Sequence, residues 1–411
     1  MDTTFFDIHM HAMDLSHPNL RSFIGRIHRL APKLIKKTFE APSPGKAEER
    51  IINLLTVMEN NIEDFFILLE YFLRSKAPVP APGGFISIGD KRFDTILLTP
   101  LIIDFGYKNI KYDAFYNMAL GKPVVEQTID VLNAIRKYYT HEFVPKPGNR
   151  QEGTAEIRKS RCLFEIYPFL GINPVNYEPG KMMEVLHSCF DGYTGRRDDL
   201  RRAWEHFPGA VDEVPGNLFA GIKLYPPLGF DPWPDKKSAE CHDLYQLYRF
   251  CQCKQIPITA HCSDLGFTVA KDADAYTDPQ KWHSVLGQYP ELKLNLAHFG
   301  DQRNRAWLIP RREWREAVID IILSHDTVYT DISCLAFDEG FYKGLGRLLK
   351  NHENPQDRLS RRILFGSDFM IHLMWANSYN EYLDRFIKTN RIHVKEKVLF
   401  CNENPRTFLF H

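Results

Sequence analysis

The chain has 411 residues, of which 44% are apolar and 25% charged, an ordinary globular composition that allows one large domain or two smaller ones around a substantial core. Lys plus Arg and Asp plus Glu are equal at 52 each, so no net field draws the chain to nucleic acid or anionic lipid, and a small-molecule substrate is the expected partner. The eight cysteines form no Cys-x-x-Cys pair, and neither a leader-like start nor an eighteen-residue apolar run occurs, so reduced thiols, a cytoplasmic location and no membrane span are expected.

The first element is the run FFDIHMHA near the N-terminus. Phe5, Phe6 and Ile8 suit a buried strand, on which side chains two apart share a face, so His9 and His11 look the same way. Two imidazoles on one face suit a borderline transition metal such as zinc better than calcium or magnesium, although a lone His-x-His is weak evidence. Next comes EERIINLLTVMENNIEDFFILLEYFLRS, whose Ile51, Leu54, Leu55, Met58, Ile62, Phe65, Phe66, Leu69 and Phe72 recur at helical spacing until APVPAPGG stops it. The stretch 17–89 therefore reads as a helical insertion after the first strand.

Strand-like runs follow at 94–104, 161–170, 217–226, 256–262, 292–300, 327–333 and 362–369, alternating with amphipathic helical stretches such as VVEQTIDVLNAIRKYY, AECHDLYQLYRFCQC and RREWREAVIDIIL. With the opening strand this makes eight strand-plus-helix units, which argue for a parallel (β/α)8 TIM barrel of the α/β class over residues 1–411 rather than an open sheet. No glycine-rich phosphate loop follows any strand; YPPLGFDPWPD is rich in proline instead.

In a barrel, chemistry sits at the carboxyl ends of the strands, which gives the polar residues ending those apolar runs a functional reading. The first strand ends in His9 and His11, the fourth carries Lys223, the fifth ends in His261, the sixth in His298 and the eighth in Asp368. Taken singly, His261 and His298 read as hydrogen-bonded core histidines, Asp368 reads equally as a helix cap, and Lys223 could snorkel to the surface, though Leu218, Phe219, Ile222 and Leu224 around it favour a buried strand. Taken together, six groups able to hold metal fall at one end of successive strands.

This set resembles that of the amidohydrolase superfamily of metal-dependent hydrolases. GIKLYPPLGFDPWPD followed by IPITAHCSDLG looks like the branch known as amidohydrolase 2, KLYP is also similar to dihydroorotases, and KVLFCNENPRTFLF resembles the closing helix of that branch. The resemblance covers the barrel and not the insertion. With His9 so near the start of the chain, no N-terminal half of a flanking β-sandwich is expected.

The resemblance implies a divalent metal, zinc by preference, that lowers the pKa of a bound water and polarises a carbonyl, with Asp368 as general acid/base. Two arrangements stay open. In the first, Lys223 takes up carbon dioxide to become a carbamate bridging two ions, one held with His9, His11 and Asp368, the other with His261 and His298. In the second, as in many members of the branch, one ion is held by His9, His11, His261 and Asp368, His298 polarises substrate or water, and Lys223 stays an ordinary cation. Substrate contacts are placed on Tyr225 and Arg303, with Trp233, Asp264 and Arg305 nearby, although surface charges are the commoner reading of the arginines in GDQRNR. The implied reaction is hydrolysis of a C–N or C–O bond in an amide, cyclic amide, ester or lactone. Non-oxidative decarboxylation and a non-catalytic metal- or ligand-binding barrel are the alternatives, and a homo-oligomer is compatible with the sequence.

Overall fold

The computed structural model describes residues 3–17, 46–76, 86–105, 124–207, 209, 214–234, 239–266, 273–303, 310–311, 313–352 and 359–411. Eight parallel strands form its centre: β1 Thr4–Met10, β2 Thr95–Pro100, β3 in two pieces (Phe164–Ile166 and Phe169–Ile172), β4 Gly221–Leu224, β5 Ile258–Ala260, β6 Leu294–Leu296, β7 Val328–Asp331 and β8 Ile363–Leu364. The first piece of β3 pairs with β2 and β2 with β1, while the second piece begins an unbroken ladder through β4, β5, β6 and β7 to β8.

Backbone bonds at two seams turn these sheets into a ring. At one, Ile102 N–H donates to Phe169 O at 3.2 Å; at the other, Ile8 N–H donates to Phe365 O at 3.2 Å and Asp368 N–H to His9 O at 2.7 Å. The TIM-barrel expectation thus holds, with β1 laid against the end of β8 and every stave paired on both sides.

The strands are shorter than the apolar runs that announced them. Leu218, Phe219 and Ala220 are fully buried just ahead of β4 without belonging to its ladder, so burial extends further along the chain than pairing does. The run at 161–170 breaks at Tyr167–Pro168, where proline has no N–H to give, and resumes to Ile172.

Between β1 and β2 the helical run divides into α1 Lys46–Glu59 and α2 Phe65–Lys76. The break falls at Asn60 and Asn61, where the Asn61 side chain accepts from Glu63 N–H at 3.0 Å and caps a short 3-10 turn, Ile62–Asp64. Leu54, Met58, Ile62, Phe66 and Leu73 are buried, whereas Phe72 stays 43% exposed. The span also contains strand Ile86–Ile88, paired in a hairpin with Lys91–Phe93; residues 18–45 and 77–85 lie outside the described residues. No described helix is long and apolar enough to cross a membrane.

The helix Tyr379–Lys388 packs on the closing seam, with Phe365 4.6 Å from Phe386 and 5.0 Å from Phe5 between ring centroids. A glycine makes this approach feasible: a Cβ on Gly366 would lie 2.6 Å from the His9 Cβ and 3.1 Å from the Ser333 Cβ. Gly366→Ala should therefore cost about 1–3 kcal/mol by forcing β1 and β8 apart. Urea unfolding followed by tryptophan fluorescence measures this, and an unchanged midpoint would mean that the seam has slack.

Candidate active site

A bulge in β1 aims the first two candidate ligands. Asp7 pairs with Leu98 but Met10 with Pro100, so β1 carries one residue more than β2 across this step. Asp7 then accepts from Ser367 N–H and the Tyr379 hydroxyl, each at 2.8 Å, while His9 and His11 both turn their Nε2 atoms to Asp368, at 3.6 and 3.3 Å from its Oδ1.

The other ring nitrogens of this pair are held from behind. His9 Nδ1 donates to Asp331 Oδ2 at 2.9 Å and His11 Nδ1 to Leu101 O at 2.8 Å, partners that only a ring N–H can satisfy. This tautomer leaves an Nε2 lone pair on each ring facing Asp368, with a buried oxygen fixing the ring as it does behind metal-ligating histidines. Burial pushes His9 down to about 4 against the pull of Asp331, so its ring is neutral at ordinary pH. Burial would raise Asp368, but the surrounding His11, His9 and His298 outweigh it and hold the carboxyl well below its usual range.

On the far side of the mouth His261 and His298 face each other, with His261 Nδ1 3.1 Å from His298 Nε2. His261 Nε2 donates to Leu265 O at 2.8 Å, which leaves a lone pair on its Nδ1. His298 sits in the left-handed region at φ 65°, and Phe299 follows at φ 50°, a strained turn held by His298 N–H donating to Asp331 Oδ1 at 3.0 Å. The His9 and His298 rings are 4.8 Å apart, so the two halves form one cluster.

Lys223 on β4 acts electrostatically on both halves, its Nζ lying 5.8 Å from the centroid of the Tyr225 ring. It is 1% exposed, and burial pushes its amine down to about 8 against the opposing pull of Asp331 and Asp368. Its charge in turn depresses His9 and His261. Its Nζ has no hydrogen-bond partner, and the same is true of His9 Nε2. Two buried polar atoms left unmatched beside an ionised carboxylate are costly unless a further group completes the site. A divalent metal fits that need: the His9, His11 and Asp368 donor atoms lie within 4.8 Å of one another, an N/N/O set that suits zinc.

Of the expected substrate contacts, Tyr225 stands at the mouth, its ring 4.5 Å from that of His261. The loop after β5 folds closely over it because a Cβ on Gly266, at φ 103°, would lie 2.3 Å from the tyrosine oxygen. Trp233 packs against Tyr245 at 5.1 Å, and Asp264 donates its N–H to Asp301 O at 3.3 Å; neither is among the described residues lining the mouth. The backbone of Arg303 forms the short strand Gln302–Arg303, but its side chain and all of Arg305 lie outside the described residues.

The residue that sequence reasoning missed is Asp331, at the end of β7. Its fully buried carboxylate accepts from the His9 ring, from Asn295 Nδ2 at 2.7 Å, from His298 N–H, from Ser333 N–H at 3.1 Å and from the Ser333 hydroxyl. Burial alone would raise its pKa, but His9, His298 and Ser333 outweigh that and keep it strongly ionised. An aspartate within the apolar run TVYTDIS was the available signal. Asp331→Asn puts an amide donor among these donors and should cost about 1–3 kcal/mol. It should also remove the fixed His9 Nδ1–H tautomer, visible in nitrogen-15 NMR of the imidazoles; an unchanged spectrum would refute the holding role.

Residues 210–410 match the family model described as Amidohydrolase. No curated protein matches the chain. Among solved structures it is similar to an uncharacterised TIM-barrel protein from Bordetella bronchiseptica (13% identity, 99% of this chain and 98% of that one, TM-score 0.46). It is similar too to a probable 2-pyrone-4,6-dicarboxylic acid hydrolase from Acinetobacter baumannii (11%, 98% of each chain, 0.44) and to a zinc-bound amidohydrolase from Burkholderia multivorans (10%, 100% of each, 0.46). The family match runs from just before β4 to residue 410, so the likeness to the Amidohydrolase family is carried by that half of the chain.

Proposed function

We propose that the protein is a metal-dependent hydrolase that adds water across a C–O or C–N bond of a small ester, lactone, amide or cyclic amide. The observation that carries this reading is the convergence of His9 Nε2, His11 Nε2 and Asp368 Oδ1 beside an unpartnered, buried Lys223 amine. His9, His11 and Asp368 would hold one ion and His261 with His298 a second. Lys223, readily neutral for a lysine because burial lowers it to about 8, could take up carbon dioxide as a carbamate and would then help to hold them. A divalent metal bound there supplies a water acidified towards neutrality and a polarised carbonyl.

The protein's own groups do the rest. Asp368 is ionised and in contact with both first-strand histidines, so it can accept the proton of the attacking water and return it to the departing oxygen or nitrogen. The water oxygen ends on the acyl carbon, the C–O or C–N bond breaks, and the returned proton completes the leaving group. Asp331 keeps the His9 and His298 donors oriented throughout, and Tyr225 with the loop after β5 walls off the His261 side.

Reconstitution with zinc should load about two ions per chain and, on a panel of lactones, esters and amides, give hydrolysis that a chelator abolishes and zinc restores. Asp368→Asn should lower kcat/KM by about 10²- to 10⁴-fold with the circular dichroism spectrum unchanged. Release of carbon dioxide without uptake of water would instead identify a decarboxylase. Near one ion per chain, with an unmodified Lys223 by intact mass and carbon-13 bicarbonate NMR, would replace the bridged pair by a single-metal centre.

A further inference from the structure

The mouth above the site has two unlike sides. The loops after β1, β2, β7 and β8 contribute Met13, Ile103, Phe105, Leu335, Ile371 and Trp375, all buried or half-buried and all lining the opening beside His11 and Asp368. The loops after β4, β5 and β6 contribute Tyr225, Ser263, Leu265 and Asp301 beside His261, a side that mixes polar groups with one aliphatic side chain. Among the described residues lining this mouth the charged side chains outside the histidines are acidic, Asp301 and Asp368, and none is lysine or arginine.

Two consequences follow from elementary electrostatics and hydration. A carboxylate seated against these apolar side chains would give up part of its water shell to surface that cannot solvate a charge. An uncharged aryl or branched alkyl group would instead exchange water contact for contact with six apolar side chains. Lys223 does not alter this balance at the wall, since it is 1% exposed and lies on β4, across from those loops.

Building on the hydrolase reading, we propose that the substrate places an uncharged apolar group, aromatic or branched aliphatic, against the wall formed by the loops after β1, β2, β7 and β8. The ester, lactone or amide bond then lies over Asp368, and the polar end of the molecule faces Tyr225 and Ser263.

The test compares 3,4-dihydrocoumarin with its 6-carboxylate on the zinc-reconstituted full chain, measuring both kcat/KM and binding by quenching of tryptophan fluorescence. The neutral lactone should bind more tightly and be favoured by about tenfold or more in kcat/KM, and Ile103→Lys should narrow or reverse the ratio. Equal or better binding of the carboxylate, or failure of the neutral lactone to bind, would overturn the proposal. Preferential binding of the neutral lactone with no turnover of either would uphold the apolar wall while removing the hydrolase reading on which it was built.

Discussion

The buried Asp331 carboxylate is the constraint around which the rest of the site is arranged. It touches β1 through the His9 ring, β6 through Asn295, the strained turn after β6 through His298 N–H, and its own turn through Ser333. An ion in a low-dielectric interior is tolerable only when its lone pairs are filled, and here donors from several staves fill them. Because those donors include the His9 ring and the backbone of His298, satisfying this one charge also sets the orientation of both halves of the candidate metal centre.

The polarity of the cluster follows from the same arrangement. Asp331 and Asp368 are held ionised while burial keeps His9 and His261 neutral, so carboxylates offer charge and imidazoles offer lone pairs without protons in the way. Lys223 is the one group in the cluster whose lowered value, about 8, leaves it near the boundary between charged and neutral amine. Its environment sets it apart from the exposed lysines of the chain, and β4 supplies that environment by burying all four of its residues.

Much of this could be read from the residues. Alternation of apolar runs with helical stretches was enough for a barrel, because each β/α unit repeats the same burial problem. His9, His11, Lys223, His261, His298 and Asp368 stood out because polar groups at the ends of apolar strands need a reason. Asp331 escaped because a single aspartate in TVYTDIS also reads as an ordinary strand-to-turn residue, and its partners Asn295 and Ser333 become visible only when β6 and β7 lie side by side. The break at Asn60–Asn61 was obscured by an apolar period that runs on through it, and the interruption at Pro168 by the burial on either side. The apolar wall could not be read at all, since Met13, Phe105, Leu335 and Trp375 come from four loops with no shared spacing.

The seam between β1 and β8 has a consequence for how the molecule comes into being. His9 and Asp368 are joined by a backbone bond and their side chains face each other, yet almost the whole described fold separates them along the chain. Contacts between such distant segments carry the largest loop-closure entropy, so they form when the intervening staves are already in place. The meeting of His9 and His11 with Asp368 is among the contacts of longest sequence separation in the described fold. A chain released before its final strand would carry His9 and His11 with no Asp368 to face, so the candidate donor set exists only in the chain that includes β8 and the turn after it.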